Sequence, residues 1–73
     1  MIFRNYIEIK SNHRFGKPII KGTRISVYDV LNWLANGMTI SEILEDFPEL
    51  NKDSVMACLH YAAERESHLG KAS

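Results

Sequence analysis

The amino-acid sequence predicts a small, mainly α domain: three short helices, two of them in helix-turn-helix proportions, with a short N-terminal β arm. Three observations carry this. Apolar residues recur at i, i+3, i+4, i+7 in Val27, Val30, Leu31, Leu34 and again in Ile40, Ile43, Leu44, Phe47. Each helical stretch opens on a residue whose side chain can cap free backbone N–H groups. Ahead of them, Tyr6-Ile7-Glu8-Ile9-Lys10 alternates polar and apolar residues, as a half-buried strand does.

The arm comes first. Tyr6–Lys10 is one strand and Pro18-Ile19-Ile20 a second, separated by the turn-rich stretch SNHRFGK. A two-stranded hairpin is barely stable in water, so these strands need helix packing or pairing with a second subunit. The first helix starts at Ser26, with Asp29 as a weaker variant of the capping box and Ile25 placed to staple onto Val30. Asn36-Gly37 stops it, because glycine readily takes the left-handed conformation found there. The second helix starts at Thr39, with Glu42 completing a capping box and Met38 stapling to Ile43; Pro48 ends it. The third starts after Asn51, with Leu50 stapling to Val55, and is expected to run from Lys52 to about Glu66 with Val55, Leu59, Ala62 and Ala63 inward. The single domain 1–73 thus divides into a basic β arm and loop (1–24), a three-helix core (25–66) and a flexible tail (67–73).

Seventy-three residues bury a limited core, for which oligomerisation is a natural remedy. The single cysteine, Cys58, excludes an intramolecular disulfide and fits a reducing compartment. No stretch approaches the roughly 20 apolar residues of a membrane span, and the N-terminus does not read as a signal peptide. The expectation is a cytoplasmic protein with no membrane role. The net charge of zero conceals a segregation. Residues 1–24 carry six cations against Glu8, a net of +5, and residues 25–73 carry eight acids against three cations, a net of −5. Either the two surfaces attract each other within a dimer, or the basic part meets nucleic acid or an acidic partner.

The densest information lies in residues 16–37, GKPIIKGTRISVYDVLNWLANG. A glycine-bounded loop sets Lys17, Lys21 and Arg24 at fixed positions against the start of a helix, a good place to hold a phosphate backbone or an acidic protein surface. The stretch GKPIIKGTRISVYDVLNWLANGM, followed by TISEILEDFPEL, closely resembles domain-of-unknown-function family 433 from about Ile7 to Glu64. The resemblance implies a homeodomain-like fold and a similarity to VapB-type antitoxins. It further implies binding to a PIN-like ribonuclease toxin, whose carboxylates surround a divalent metal, and operator DNA as a further partner. Many antitoxins wrap the toxin with a long C-terminal segment. Here the toxin is expected to be held by the folded domain or the N-terminal arm, or else there is no toxin.

The candidate nucleic-acid or toxin-binding residues are Arg14, Lys17, Lys21, Arg24 and Lys52. For Arg24 the alternative is a pair with Asp29 or another acid that fixes the loop. The third helix reads bases, as in helix-turn-helix proteins, or else packs the core and a partner subunit. Its expected outward residues, Lys52, Asp53, Met56, His60 and Glu64, are poorly suited to phosphate. A homodimer is expected, with Ile7, Ile9, Trp33, Met56 and Tyr61 at its interface; Trp33 alternatively closes the edge of the core. His60, Glu64 and His68 recur every four residues, but without an HExxH pattern or a helping cysteine they read as surface polar groups. No activated nucleophile or poised acid–base pair is evident, so the expectation is binding without catalysis, cofactor or metal. Two other readings stay open: a stand-alone DNA-binding regulator, and a dimeric interaction module without a DNA role.

Overall fold

In the computed structural model, which describes residues 3–9 and 16–69, a 3-10 turn over Phe3–Tyr6 leads into β1 (Ile7–Ile9) and β2 (Pro18–Ile20). Three helices follow: α1 (Val27–Ala35), α2 (Ile40–Asp46) and α3 (Lys52–Leu69). The strands are antiparallel, with Ile7 opposite Ile20, Glu8 opposite Ile19 and Ile9 opposite Pro18. The Lys21 N–H donates to the Tyr6 carbonyl at 2.9 Å. Antiparallel pairs alternate, so Glu8 and Ile19 form the next hydrogen-bonded pair, and Ile9 and Pro18 a non-bonded one. A proline, which has no N–H, fits that place without loss.

The caps form as the sequence predicts. The Asp29 N–H donates to Ser26 Oγ at 2.9 Å while the Asp29 carboxylate accepts from the Ser26 N–H at 3.0 Å. Thr39 and Glu42 make the same exchange at 3.1 and 2.8 Å. At α3, Asn51 Oδ1 accepts from the Ser54 N–H at 2.8 Å, and Ser54 Oγ from the Asn51 N–H at 3.3 Å. Gly37, with φ of +97°, turns the chain out of α1 in the left-handed region that side chains disfavour.

The core joins all the elements. Ile7 and Ile20 from the hairpin, Ile25, Val27 and Val30 around the start of α1, Ile43 of α2, Leu50, and Val55, Ala57 and Cys58 of α3 form one buried cluster. The hairpin is therefore held by helix packing within the chain.

Three expectations need correction. The first strand is shorter than Tyr6–Lys10: Tyr6 belongs to the 3-10 turn, and Lys10 lies outside the described residues. Helix α3 continues to Leu69, beyond Glu66 and into the segment read as a flexible tail. Its inward face is Ser54, Val55, Ala57 and Cys58, whereas Leu59 is 37% exposed and Ala63 is exposed. The 3-10 turn explains the rotation. Phe3 stacks on His60 and meets Tyr61 edge-on, Arg4 pairs with Glu64 at 3.3 Å, and the Tyr6 hydroxyl donates to Asp53 at 3.4 Å. The arm thus touches a flank of α3 whose residues Asp53, His60 and Glu64 stay exposed. Lys52, Asp53, His60 and Glu64 are exposed as expected, Leu59 and Ala63 are exposed as well, and Met56 is half-buried.

Candidate binding surfaces

The first surface is the turn from Ile20 to Ile25. Gly22 takes a φ of +78°, a conformation that glycine adopts without strain. Thr23 then ties the turn together. Its N–H and its hydroxyl both donate to the Ile20 carbonyl, at 3.0 and 2.9 Å, and its hydroxyl oxygen accepts from the Ile25 N–H at 3.0 Å. The Ile20 N–H closes the frame on the Ile25 carbonyl at 2.9 Å. Ile20 and Ile25 are buried, while Lys21 and Arg24 are exposed. Two cations therefore stand on a frame anchored in the core at both ends. Beside the turn, Glu8, Ile19, Arg24 and Glu49 line an open groove of about 600 Å³.

The second surface lies over Tyr61. On one side, Phe3, Ile7, Ile9 and Tyr61 line a groove of about 340 Å³ edged by Arg4 and Glu64. On the other, Pro18, Tyr28, Leu31, Tyr61 and Ala62 line one of about 490 Å³, edged by Lys17, Arg65 and Glu66. Tyr61 belongs to both. Ile9 is 60% exposed and Tyr28 62%, a large apolar exposure for two neighbouring elements. Lys17 Nζ sits 5.5 Å from the centroid of the Tyr28 ring, and the Arg65 guanidinium 5.9 Å from that of Tyr61.

These geometries stand beside clear relationships to known proteins. The model of a family described as a protein of unknown function, DUF433, matches residues 7–62. The chain belongs to the DUF433 family. The crystal structure of a DUF433 member from Anabaena variabilis superposes with a TM-score of 0.82 over 97% of this chain and 70% of that one, at 24% identity, and shares its fold. An uncharacterized protein of Sinorhizobium fredii, y4eO, is 36% identical over 47 residues, 64% of this chain; the chain spans 21% of that protein's length. The DUF433 segment contains the whole cationic turn. Phe3, Arg4, Glu64, Arg65 and Glu66 of the aromatic surface lie beyond it.

Within this DUF433 chain the predicted binding residues separate. Lys21 and Arg24 share the turn. Lys17 sits with Tyr28 on the aromatic surface, Lys52 opens α3 beside Asp53, and Arg14 lies outside the described residues. Among the proposed interface residues, Ile7, Ile9 and Tyr61 meet in one groove. Trp33 stacks on Phe47 with centroids 4.2 Å apart and rings 9° from parallel, and it packs against the core. Met56 is half-buried on α3. His60 and Glu64 are engaged by Phe3 and Arg4. Burial pushes the Cys58 thiol up to about 12, which keeps it protonated and unreactive. Sequence reasoning missed Tyr28 and Arg65 as parts of a surface. The only signal was their position beside residues that were read as core.

Proposed function

We propose that this chain is an antitoxin-like binding protein without catalysis of its own, which neutralises a PIN-like ribonuclease through the folded domain. The observation that supports this reading is the Lys21–Arg24 turn, a pair of exposed cations on a frame fixed by the Thr23 hydrogen bonds. Nucleases of that type assemble carboxylates around a divalent cation. A guanidinium or ammonium inserted there supplies positive charge in place of the metal and blocks its return. A rigid turn suits this task, because little conformational freedom remains to be lost on binding.

Base reading by α3 is disfavoured. Glu42, Glu45, Asp46, Glu49 and Asp53 are all exposed on α2, the connection and the start of α3. That surface repels phosphate. Operator contact, if the protein makes it, falls to the turn as well.

The test is a growth assay. The neighbouring open reading frame is expressed alone and then with this chain in a heterologous bacterium. The expected result is arrest by the neighbour and relief by this chain. Relief should be lost when Arg14, Lys17, Lys21 and Arg24 are all replaced by alanine. Absence of arrest at verified expression refutes the antitoxin reading. Relief that survives the fourfold replacement refutes the cationic contact.

A further inference from the structure

We propose that the surface over Tyr61 is the interface between two copies of this chain, paired about a two-fold axis. Three features carry the inference. First, Ile9 and Tyr28 project from the two elements that flank Tyr61, each about three-fifths exposed, and between them lie two grooves with a common aromatic wall. An apolar face of this kind rimmed by charge is the usual form of a protein contact.

Second, the rim decides the occupant. It carries cations, Lys17, Arg65 and the Glu64-paired Arg4, and acids, Glu64 and Glu66. A nucleic acid or an acidic partner meets the glutamates, and a basic partner meets Lys17 and Arg65. A second copy of the same face can set each sign against the other, which a two-fold contact requires because the same patch serves both sides. Neither Lys17 nor Arg65 is paired with a carboxylate among the described residues.

Third, the face is already ordered. Lys17 and Arg65 rest over tyrosine rings and Arg4 over Phe3, and Phe3 meets Tyr61 edge-on at 6.3 Å between centroids. Large aromatic anchors held in place lose little freedom on association. On the competing surface, Met56, Leu59 and Ala63 on α3, Met56 is half-buried and Leu59 is only 37% exposed.

The experiment is sedimentation equilibrium on the full chain. The wild type should be a dimer that dissociates on dilution. Ile9→Ser with Tyr28→Ala, both at exposed positions, should weaken the dimer by about a hundredfold or more, since each change occurs twice per dimer and an aromatic anchor is worth roughly tenfold. Helical circular dichroism and Trp33 fluorescence should be unchanged. Lys17→Glu with Arg65→Glu leaves Arg4, paired with Glu64, as the one cation against four acids on the rim. It should yield a monomer at low ionic strength and recover dimer as salt rises, which a folding defect would not do.

A monomeric wild type overturns the proposal. So does a dimer indifferent to the Ile9 and Tyr28 changes, or one that Leu59→Ser dissolves in their place. The inference is independent of the antitoxin reading. A dimer that relieves no arrest leaves it standing, and a monomer that relieves arrest defeats it alone.

Discussion

Replacing Thr23 by valine tests whether the cationic turn is as rigid as its hydrogen bonds imply. The change is nearly isosteric and deletes one oxygen. That oxygen donates to the Ile20 carbonyl at 2.9 Å and accepts from the Ile25 N–H at 3.0 Å. The two losses differ. The Ile20 carbonyl keeps the Thr23 backbone N–H as a donor at 3.0 Å, so only one net hydrogen bond is forfeited there, about 1 kcal/mol. Ile25 is 8% exposed, so its N–H is left in a place that water reaches poorly, a further cost of about 1–2 kcal/mol. The sum, about 2–3 kcal/mol, is a large share of the stability of a small domain. Urea unfolding followed by circular dichroism reads it directly, with a midpoint about 2 M lower for a slope near 1 kcal/mol per molar. Thr23→Ser keeps the oxygen and should stay within about 0.5 kcal/mol of wild type. A valine variant as stable as the serine one would refute the reasoning and show that the frame does not depend on the side chain.

Other outcomes follow from particular contacts. Ile43 is fully buried, and Ile43→Ala should cost about 3–4 kcal/mol in the same unfolding assay. Gly22→Ala meets nothing within 4 Å, so its cost should be backbone strain alone, about 1–2 kcal/mol. Arg4→Ala should lower stability by about 0.5 kcal/mol or less, because the Arg4–Glu64 pair is open to solvent. Cys58 holds its proton to about 12 in the fold, against 9.0 ordinarily. Between those values the unfolded chain binds fewer protons, so stability should fall as pH rises through this window, and Cys58→Ala should flatten that slope. Thiol labelling at neutral pH should proceed only through unfolding.

The helices were legible because their signals are local. Ser26 with Asp29, and Thr39 with Glu42, specify starts that depend on nothing beyond one turn. The first two apolar stripes were legible for the same reason. The third was not, because Phe3, Arg4 and Tyr6 lie almost fifty or more residues away from the side chains they meet, and no periodicity within α3 announces them. Ala57 and Cys58 are small enough to admit tight packing, and burial passed to them while Leu59 faced outward. The candidate surfaces were half legible. Lys21 and Arg24 are visible as cations beside Gly22, yet the Thr23 bridge that fixes them appears only in three dimensions. Tyr28 sits among the helix-starting residues, and only the fold reveals that it is turned outward beside Lys17.

The separation of the two surfaces makes a double dissociation the decisive behaviour. The turn is built from Ile20–Ile25 and fixed by the Thr23 hydrogen bonds within it, with one further bond from the Lys21 N–H to the Tyr6 carbonyl. The aromatic face is built from the 3-10 turn, β1, the start of β2, α1 as far as Leu31 and the later half of α3. No side chain of the pair Lys21 and Arg24 lines either groove over Tyr61. Energetic effects of side chains that share no partner add nearly independently. Lys21→Glu with Arg24→Glu should therefore abolish relief of growth arrest while the dimer sediments unchanged. Ile9→Ser with Tyr28→Ala should do the reverse at expression levels high enough for single subunits to saturate the toxin. At limiting expression the same pair should weaken relief, because a dimer offers two turns in a fixed relation and gains from their combined binding. If both double variants lose relief at every expression level, the toxin spans both surfaces, and the division of labour drawn from the geometry is wrong.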